Sequence, residues 1–112
     1  MFDVIVLGKG PAGIQAAVYI KRANLNVLVI GKDGGALART DKVGNYYGFT
    51  QISGPELLEA GYAHAKALGI ELVEEEVIGI NYMGDFNVTT TTNQYTAKAV
   101  ILATGSPRAS VR

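Results

Sequence analysis

Residues 7–17 (LGKGPAGIQAA) carry three glycines at the spacing G-x-G-x-x-G, and an apolar run that begins at Phe2 comes directly before them. This run predicts a strand buried on both faces of a parallel sheet. Apolar residues then recur at helical spacing over residues 11–23, and residues 26–30 (NVLVI) predict a second buried strand. The start of the chain therefore predicts a β-α-β unit, which is right-handed in nearly all proteins.

Each glycine of this loop has a separate physical task. Gly8 permits a tight turn, Gly10 lets the backbone approach a pyrophosphate, and Gly13 lets the helix pack closely on the strand. Amides at the start of the helix supply a positive pole for the phosphates. The pattern also occurs by chance in structural turns of small residues, but its position between a strand and a helix favours a dinucleotide site.

A second mark of dinucleotide sites is an acid at the end of the next strand, where it binds the adenosine ribose. In this chain Gly31 stands there, followed by Lys32 and Asp33. We expect backbone amides and Lys32 to serve this end of the nucleotide, with a contact from Asp33 to the ribose as the alternative. The missing acid argues against a generic NAD site.

The rest of the chain predicts that the same sheet continues. Residues 31–50 contain five glycines and no regular period, which is typical of a long functional loop. A helix is predicted over residues 53–68 and a third parallel strand over residues 70–73. An antiparallel three-stranded meander is predicted next, followed by one more buried strand: residues 77–82, 86–92 and 95–97, and then residues 99–103.

Composition excludes several classes of function. Ten acidic residues balance ten basic ones, which argues against a nucleic acid or an anionic membrane as the main partner. No apolar run approaches the roughly 20 residues that span a bilayer, and no signal peptide is recognisable, so we expect a cytoplasmic protein. The chain has no cysteine, and these residues therefore hold no disulfide, thiolate metal site or redox-active thiol.

Five stretches, in order along nearly the whole chain, resemble the low-molecular-weight thioredoxin reductases and their FAD-dependent pyridine nucleotide-disulfide oxidoreductase relatives. GKGPAG with AAVYIKRANL resembles the first loop and helix of that family, GKDGGAL its GG-x-L flavin loop, and GNYYGF its E-N-x-P-G-F turn. SGPELLEAGYAHAKALG resembles the second helix, and ILATGSPR the A-T-G strand end. The chain departs from the family pattern at Ala36, Gly44 and Tyr47, where glutamine, glutamate and proline are common, which suggests a divergent branch.

The resemblance implies an extended FAD and assigns its contacts segment by segment. The pyrophosphate would lie at Gly8, Gly10, Pro11, Ala12 and Gly13. The flavin half would run along Gly34, Gly35, Ala36 and Leu37, with Asn45 near the isoalloxazine or ribityl group. Backbone at Glu76 and Val77 would flank the adenine, and the middle of the cofactor would be covered by Ala103, Thr104 and Gly105. No residue is assigned as an acid, base, nucleophile or metal ligand.

The resemblance also implies the architecture and the activity of a parent protein. The fold would be an α/β three-layer Rossmann-like FAD-binding domain with a parallel sheet and an antiparallel three-stranded meander. Residues 1–112 would form the N-terminal segment of this discontinuous domain, without the NAD(P)H domain and the C-terminal FAD segment. We therefore expect a fragment that binds FAD weakly and is inactive alone, cut from a homodimeric reductase that passes electrons from NAD(P)H through FAD to a protein disulfide such as that of thioredoxin.

Two other functions are compatible with these motifs. One is a ferredoxin-linked flavoprotein of the same fold, which lacks the dithiol step. The other is a non-catalytic nucleotide-binding module whose sheet is completed by a partner chain.

Other polar residues have ordinary explanations. For the acidic segment Glu74–Glu76 we expect a solvated turn, with only backbone contacts near adenine. For the run Thr89–Thr92 we expect exposed strand, and for His64 a surface or boundary position on a helix.

Overall fold

The structure, a computed structural model, describes residues 1–32 and 54–103. These residues form six strands and two helices: β1 (Phe2–Leu7), α1 (Pro11–Arg22), β2 (Val27–Gly31), α2 (Gly54–Ala67), β3 (Glu71–Glu74), β4 (Val77–Tyr82), β5 (Phe86–Thr90) and β6 (Gln94–Leu102). Neither helix is long and apolar enough to cross a membrane. The elements predicted within these residues are present with bounds that agree to within two residues, except that the last two predicted strands form one.

All six strands join one mixed sheet in the order β3-β2-β1-β6-β5-β4. β1 pairs in parallel with β2 on one side and with β6 on the other, and β2 pairs in parallel with β3. β5 pairs antiparallel with both β4 and β6, and so forms the predicted meander. The prediction of a parallel sheet followed by an antiparallel meander is therefore confirmed.

The last two predicted strands are in fact one strand. Residues 95–97 and 99–103 were expected as separate strands, but β6 runs without a break through both. Its first half pairs with β5 and its second half with β1, and Ala97 has a partner in each of them, Phe86 and Phe2. Because the sequence has no glycine, proline or asparagine between Ala97 and Ala99, the backbone has no reason to turn.

The parallel strands bury both of their faces, as the unbroken apolar runs predict. On one face, Val4 and Val6 of β1 pack against Ile14, Ala17 and Val18 of α1. On the opposite face, side chains of β1 and β2 form a second core with two buried residues of the meander: Ile5, Leu7, Leu28 and Ile30, together with Val88 and Ala97. Helices, parallel strands and meander therefore form three layers, as predicted.

Candidate cofactor site at the carboxyl edge of the sheet

Three of the segments with predicted nucleotide contacts meet at the carboxyl ends of the parallel strands. Gly8 follows β1 and its amide donates to the carbonyl of Ile30 in β2 at 2.7 Å. The amide of Ala103, directly after β6, donates to the carbonyl of Leu7 at 2.8 Å. Since β2 and β6 lie on opposite sides of β1, this edge is the point where the strand order reverses, and ligands of open α/β sheets bind there.

The glycine loop leaves backbone donors without an acceptor in the helix that follows it. Gly8 has a φ of 129°, which residues with a side chain rarely adopt, and the chain then turns into α1 at Pro11. The first hydrogen bond of the helix runs from the Ile14 amide to the Gly10 carbonyl at 3.1 Å. The amides of Ala12 and Gly13 precede this bond, and the first turn of α1 carries no acidic side chain. This position suits a phosphate, because a phosphate would accept hydrogen bonds from these amides and would interact favourably with the helix dipole.

Gly13 packs directly against the backbone of the loop. A Cβ atom at this position would lie 2.0 Å from the carbonyl oxygen of Gly8 and 2.9 Å from its carbonyl carbon. It would also be 3.4 Å from Cγ1 of Val6 in β1. The close approach of helix and strand that the spacing predicts for Gly13 is therefore present.

The end of β2 has no space for any side chain. A Cβ atom at Gly31 would lie 2.6 Å from Cγ of Lys9 and 2.7 Å from its backbone nitrogen. Glycine is required here because the glycine loop crosses directly over the end of the strand. This packing explains why no acid stands at Gly31, independently of which nucleotide binds.

The turn between β3 and β4 lies beside the end of β2. The Glu75 amide donates to the Gly31 carbonyl at 3.1 Å, and Nζ of Lys32 lies 3.8 Å from a carboxylate oxygen of Glu76. Both of these charged side chains are exposed. The Glu76 carbonyl accepts from the Thr91 amide at 3.0 Å, which connects the turn to the end of β5. Lys32, Glu76 and Val77 therefore lie at the same edge as the glycine loop, and their contacts to adenosine stay a prediction.

Glu75 lies in the predicted turn but is half-buried, and its carboxylate has a structural role that the prediction of a solvated turn did not include. Its two oxygens accept from Oγ1 of Thr90 at 2.7 Å, from Nδ2 of Asn93 at 3.0 Å and from the hydroxyl of Tyr95 at 3.1 and 3.0 Å. Thr90, expected as exposed strand, is buried. Glu74 and Glu76, by contrast, are exposed as predicted. Periodicity did not indicate this cluster because Glu75 is 15 or more residues away from its partners in residues 90–95.

These hydrogen bonds shift the pKa values of both acidic groups. Donation from Thr90 lowers the pKa of Glu75 below its ordinary value of 4.5, against a smaller opposing effect of burial. Burial raises the pKa of Tyr95, and the adjacent Glu75 carboxylate raises it further. Glu75 is therefore ionised and Tyr95 protonated near neutral pH.

We expect Glu75→Gln to lower the stability of the chain at neutral pH, with a loss that shrinks on acidification. A carboxylate whose pKa is depressed on folding stabilises the protein above its unfolded pKa and loses this effect as the pH falls through the folded pKa. Wild type and variant should therefore converge below pH 4.5, as measured by urea unfolding across that range. Glu59→Gln, on the exposed side of α2, is the matched control. A difference that stays constant with pH would contradict the assignment.

Lys9, the residue between the first two glycines, is a feature that the sequence reasoning missed. Its side chain is only 13% exposed, and Nζ lies 3.7 Å from a carboxylate oxygen of Glu74 and 5.1 Å from the centre of the Tyr62 ring. The Tyr62 hydroxyl donates to the Lys9 carbonyl at 2.8 Å. In the sequence the signal is a lysine between two glycines of the loop, which does not by itself indicate burial or a contact with Tyr62.

A cavity of about 310 Å³ lies elsewhere, between the two helices. Its lining comes from α1 and α2, including Ile14, Val18, Leu57, Leu58 and Gly61. The predicted contact residues that the structure describes lie at the sheet edge and its adjoining turns, and of these Pro11 also lines the cavity: Gly8, Gly10, Pro11, Ala12, Gly13, Gly31, Lys32, Glu76, Val77 and Ala103. The other predicted contacts lie outside the described residues: Asp33, Gly34, Gly35, Ala36, Leu37, Asn45, Thr104 and Gly105.

Comparison with protein families gives a match over almost the whole chain. The family model described as pyridine nucleotide-disulphide oxidoreductase matches residues 2–111. The thioredoxin reductase of Bacillus subtilis (strain 168) is 44% identical over 112 residues, and the alignment covers 95% of this chain and 34% of the relative. The chain thus spans about a third of the length of the curated relatives it matches.

Solved structures give the same likeness in three dimensions. The crystal structure of Lactococcus lactis thioredoxin reductase (FR conformation) superimposes with a TM-score of 0.90 at 32% identity, covering 99% of this chain and 38% of that one. Thioredoxin reductase from Streptococcus pyogenes MGAS5005 gives a TM-score of 0.90 at 37% identity, covering 99% of this chain and 37% of its own.

Proposed function

The chain belongs to the pyridine nucleotide-disulphide oxidoreductase family, and we propose that it binds FAD along the carboxyl edge of its sheet. The observation that supports this most directly is the glycine loop, where Gly13 packs on the carbonyl of Gly8 and the first helical amides have no acceptor in the helix. An anionic group with two phosphates suits these donors. The residues present therefore fit the cofactor that the family implies.

The residues of this chain would act by binding and orientation. Amides of Gly10, Ala12 and Gly13 would bind the pyrophosphate, and the backbone of Glu76 and Val77 would flank the adenine. Lys32 would lie at the exposed rim of the adenosine half. When bound, FAD supplies the electron-transfer chemistry, for which this chain provides position and electrostatic environment.

The activity we propose is electron transfer from NAD(P)H through FAD to a protein disulfide. It is supported by relatives that are named thioredoxin reductases, at 38–44% identity over about a third of their length. Thioredoxin or a similar protein is accordingly the proposed partner. Homodimer formation remains a prediction from the resemblance, and a cytoplasmic location remains a prediction from the sequence.

The proposal predicts a yellow protein when the chain is expressed from its complete natural reading frame. We expect the visible absorption spectrum of a protein-bound flavin, bleaching on anaerobic titration with NADPH, and recovery of colour on addition of oxidised thioredoxin. Recovery with oxidised ferredoxin instead would favour the ferredoxin-linked alternative. A colourless protein that takes up no FAD on reconstitution and copurifies with a second polypeptide would contradict the proposal and favour the partner-completed module.

A further inference from the structure

Lys9 is held by two elements that are distant from it in sequence. Nζ of Lys9 lies 5.1 Å from the centre of the Tyr62 ring of α2 and 3.7 Å from a carboxylate oxygen of Glu74 at the end of β3. A lysine over an aromatic ring is stabilised more strongly when it is withdrawn from water, as here with 13% exposure. The ion pair adds little by itself because Glu74 is 71% exposed.

The backbone of Lys9 is held separately from its side chain. The Tyr62 hydroxyl donates to the Lys9 carbonyl at 2.8 Å, and the backbone nitrogen of Lys9 lies against Gly31. The Lys9 carbonyl belongs to the same peptide unit as the Gly10 N–H, and this unit is trans. In a trans peptide the C=O and N–H bonds point in opposite directions. The bond to Tyr62 therefore turns the Gly10 amide away from α2.

We propose that Tyr62 and Lys9 are positioning residues that hold the glycine loop in its phosphate-binding conformation before the cofactor arrives. Tyr62 orients the peptide that carries the Gly10 amide, and the enclosed Lys9 side chain anchors the same peptide to α2 and β3. The ammonium group of Lys9 has the Tyr62 ring and the Glu74 carboxylate as neighbours, so the role proposed for Lys9 is to position the loop and not to bind phosphate. This inference rests on the proposed binding of FAD, but the loop geometry can also be measured without cofactor.

Tyr62→Phe tests the hydroxyl alone, since the ring that faces Lys9 remains. Because one neutral hydrogen bond is lost, we expect about five-fold weaker FAD binding, measured in the protein of full natural length. Hydrogen exchange of the amides in residues 8–13 should become several-fold faster in the cofactor-free protein, whereas exchange in β1 and β2 should not change. Tyr19→Phe, a similar change at an exposed tyrosine of α1, should alter neither quantity.

Lys9→Met tests the second anchor, because it keeps an apolar stem and the carbonyl that accepts from Tyr62. We expect about three-fold weaker FAD binding, from loss of the contact to the ring. Lys66→Met, at an exposed site of α2, is the matched control. Combined with Tyr62→Phe, the loss should be non-additive because both changes release the same peptide.

Two results would overturn the inference. The first is unchanged loop exchange in both Tyr62→Phe and Lys9→Met, and the second is exchange that accelerates equally throughout the sheet, as general destabilisation would produce. If the wild-type protein binds no FAD but the variants still show faster exchange confined to the loop, the proposed function is refuted and the positioning role stays intact. Wild-type FAD binding with no effect of either variant would refute only the positioning role.

Discussion

Gly13→Ala is expected to lower the free energy of unfolding by about 3 kcal/mol and to abolish FAD binding. This loss of stability is at the upper end of the usual range for substitutions that overpack a core. The added methyl group would lie 2.0 Å from the Gly8 carbonyl oxygen and 2.9 Å from its carbonyl carbon, and these backbone atoms cannot move aside as the end of a flexible side chain can. Alanine in place of glycine inside a helix normally stabilises by about 1 kcal/mol, so the expected sign is reversed. Urea unfolding and the flavin content of the purified protein measure the two effects.

Gly79→Ala is the matched control for this substitution. Gly79 lies in β4, and a Cβ atom there would have no neighbour within 4 Å. We expect a stability change within about 0.5 kcal/mol and unaltered flavin content. If Gly13→Ala were as stable as this control, the packing of α1 on the loop would not be the rigid feature that the site requires.

Gly31→Glu, which introduces the acid common at this position in dinucleotide sites, is expected to weaken FAD binding more than about tenfold and to destabilise the chain by about 2 kcal/mol. The cause is steric, because the Cβ atom alone would lie 2.7 Å from the backbone nitrogen of Lys9. The glycine loop, the proposed binding site of the phosphates, would have to move. Equilibrium titration with FAD and urea unfolding give the two quantities.

Gly31→Ala separates bulk from charge at this position. The alanine variant should already show most of the loss, because the clash begins at Cβ. Higher FAD affinity in Gly31→Glu than in the wild type would mean that the carboxylate reaches the ribose and that the glycine loop moves with little loss of free energy. That result would contradict the packing explanation for the missing acid.

Local patterns in the sequence were sufficient for the elements and their layers. Unbroken apolar runs predicted β1 and β2, and both are buried on two faces. Alternation predicted β5, whose Val88 is buried against the parallel strands. The division of β6 into two strands was wrong because a strand that changes partners keeps its own extended backbone, and nothing in its periodicity marks the change.

Local patterns were not sufficient for the polar contacts at the site. The hydrogen bond from Tyr62 to Lys9 joins residues 53 apart, and those from Tyr95 to Glu75 join residues 20 apart. Such pairs form because the fold brings separate elements together, and each partner alone has the appearance of an ordinary surface residue. The resemblance to thioredoxin reductases is confirmed at the level of family and fold, whereas the individual cofactor contacts stay predictions.

The central place of β1 has a consequence for the order in which the chain folds. One neighbour of β1 is β2, which follows within one helix, but the other is β6, near the far end of the described residues. While the chain emerges from a ribosome, one edge of the first strand therefore stays unpaired until almost a hundred residues have been made. During synthesis, protection of this edge depends on what binds it transiently, since its native partner is the last of the six described strands to be made.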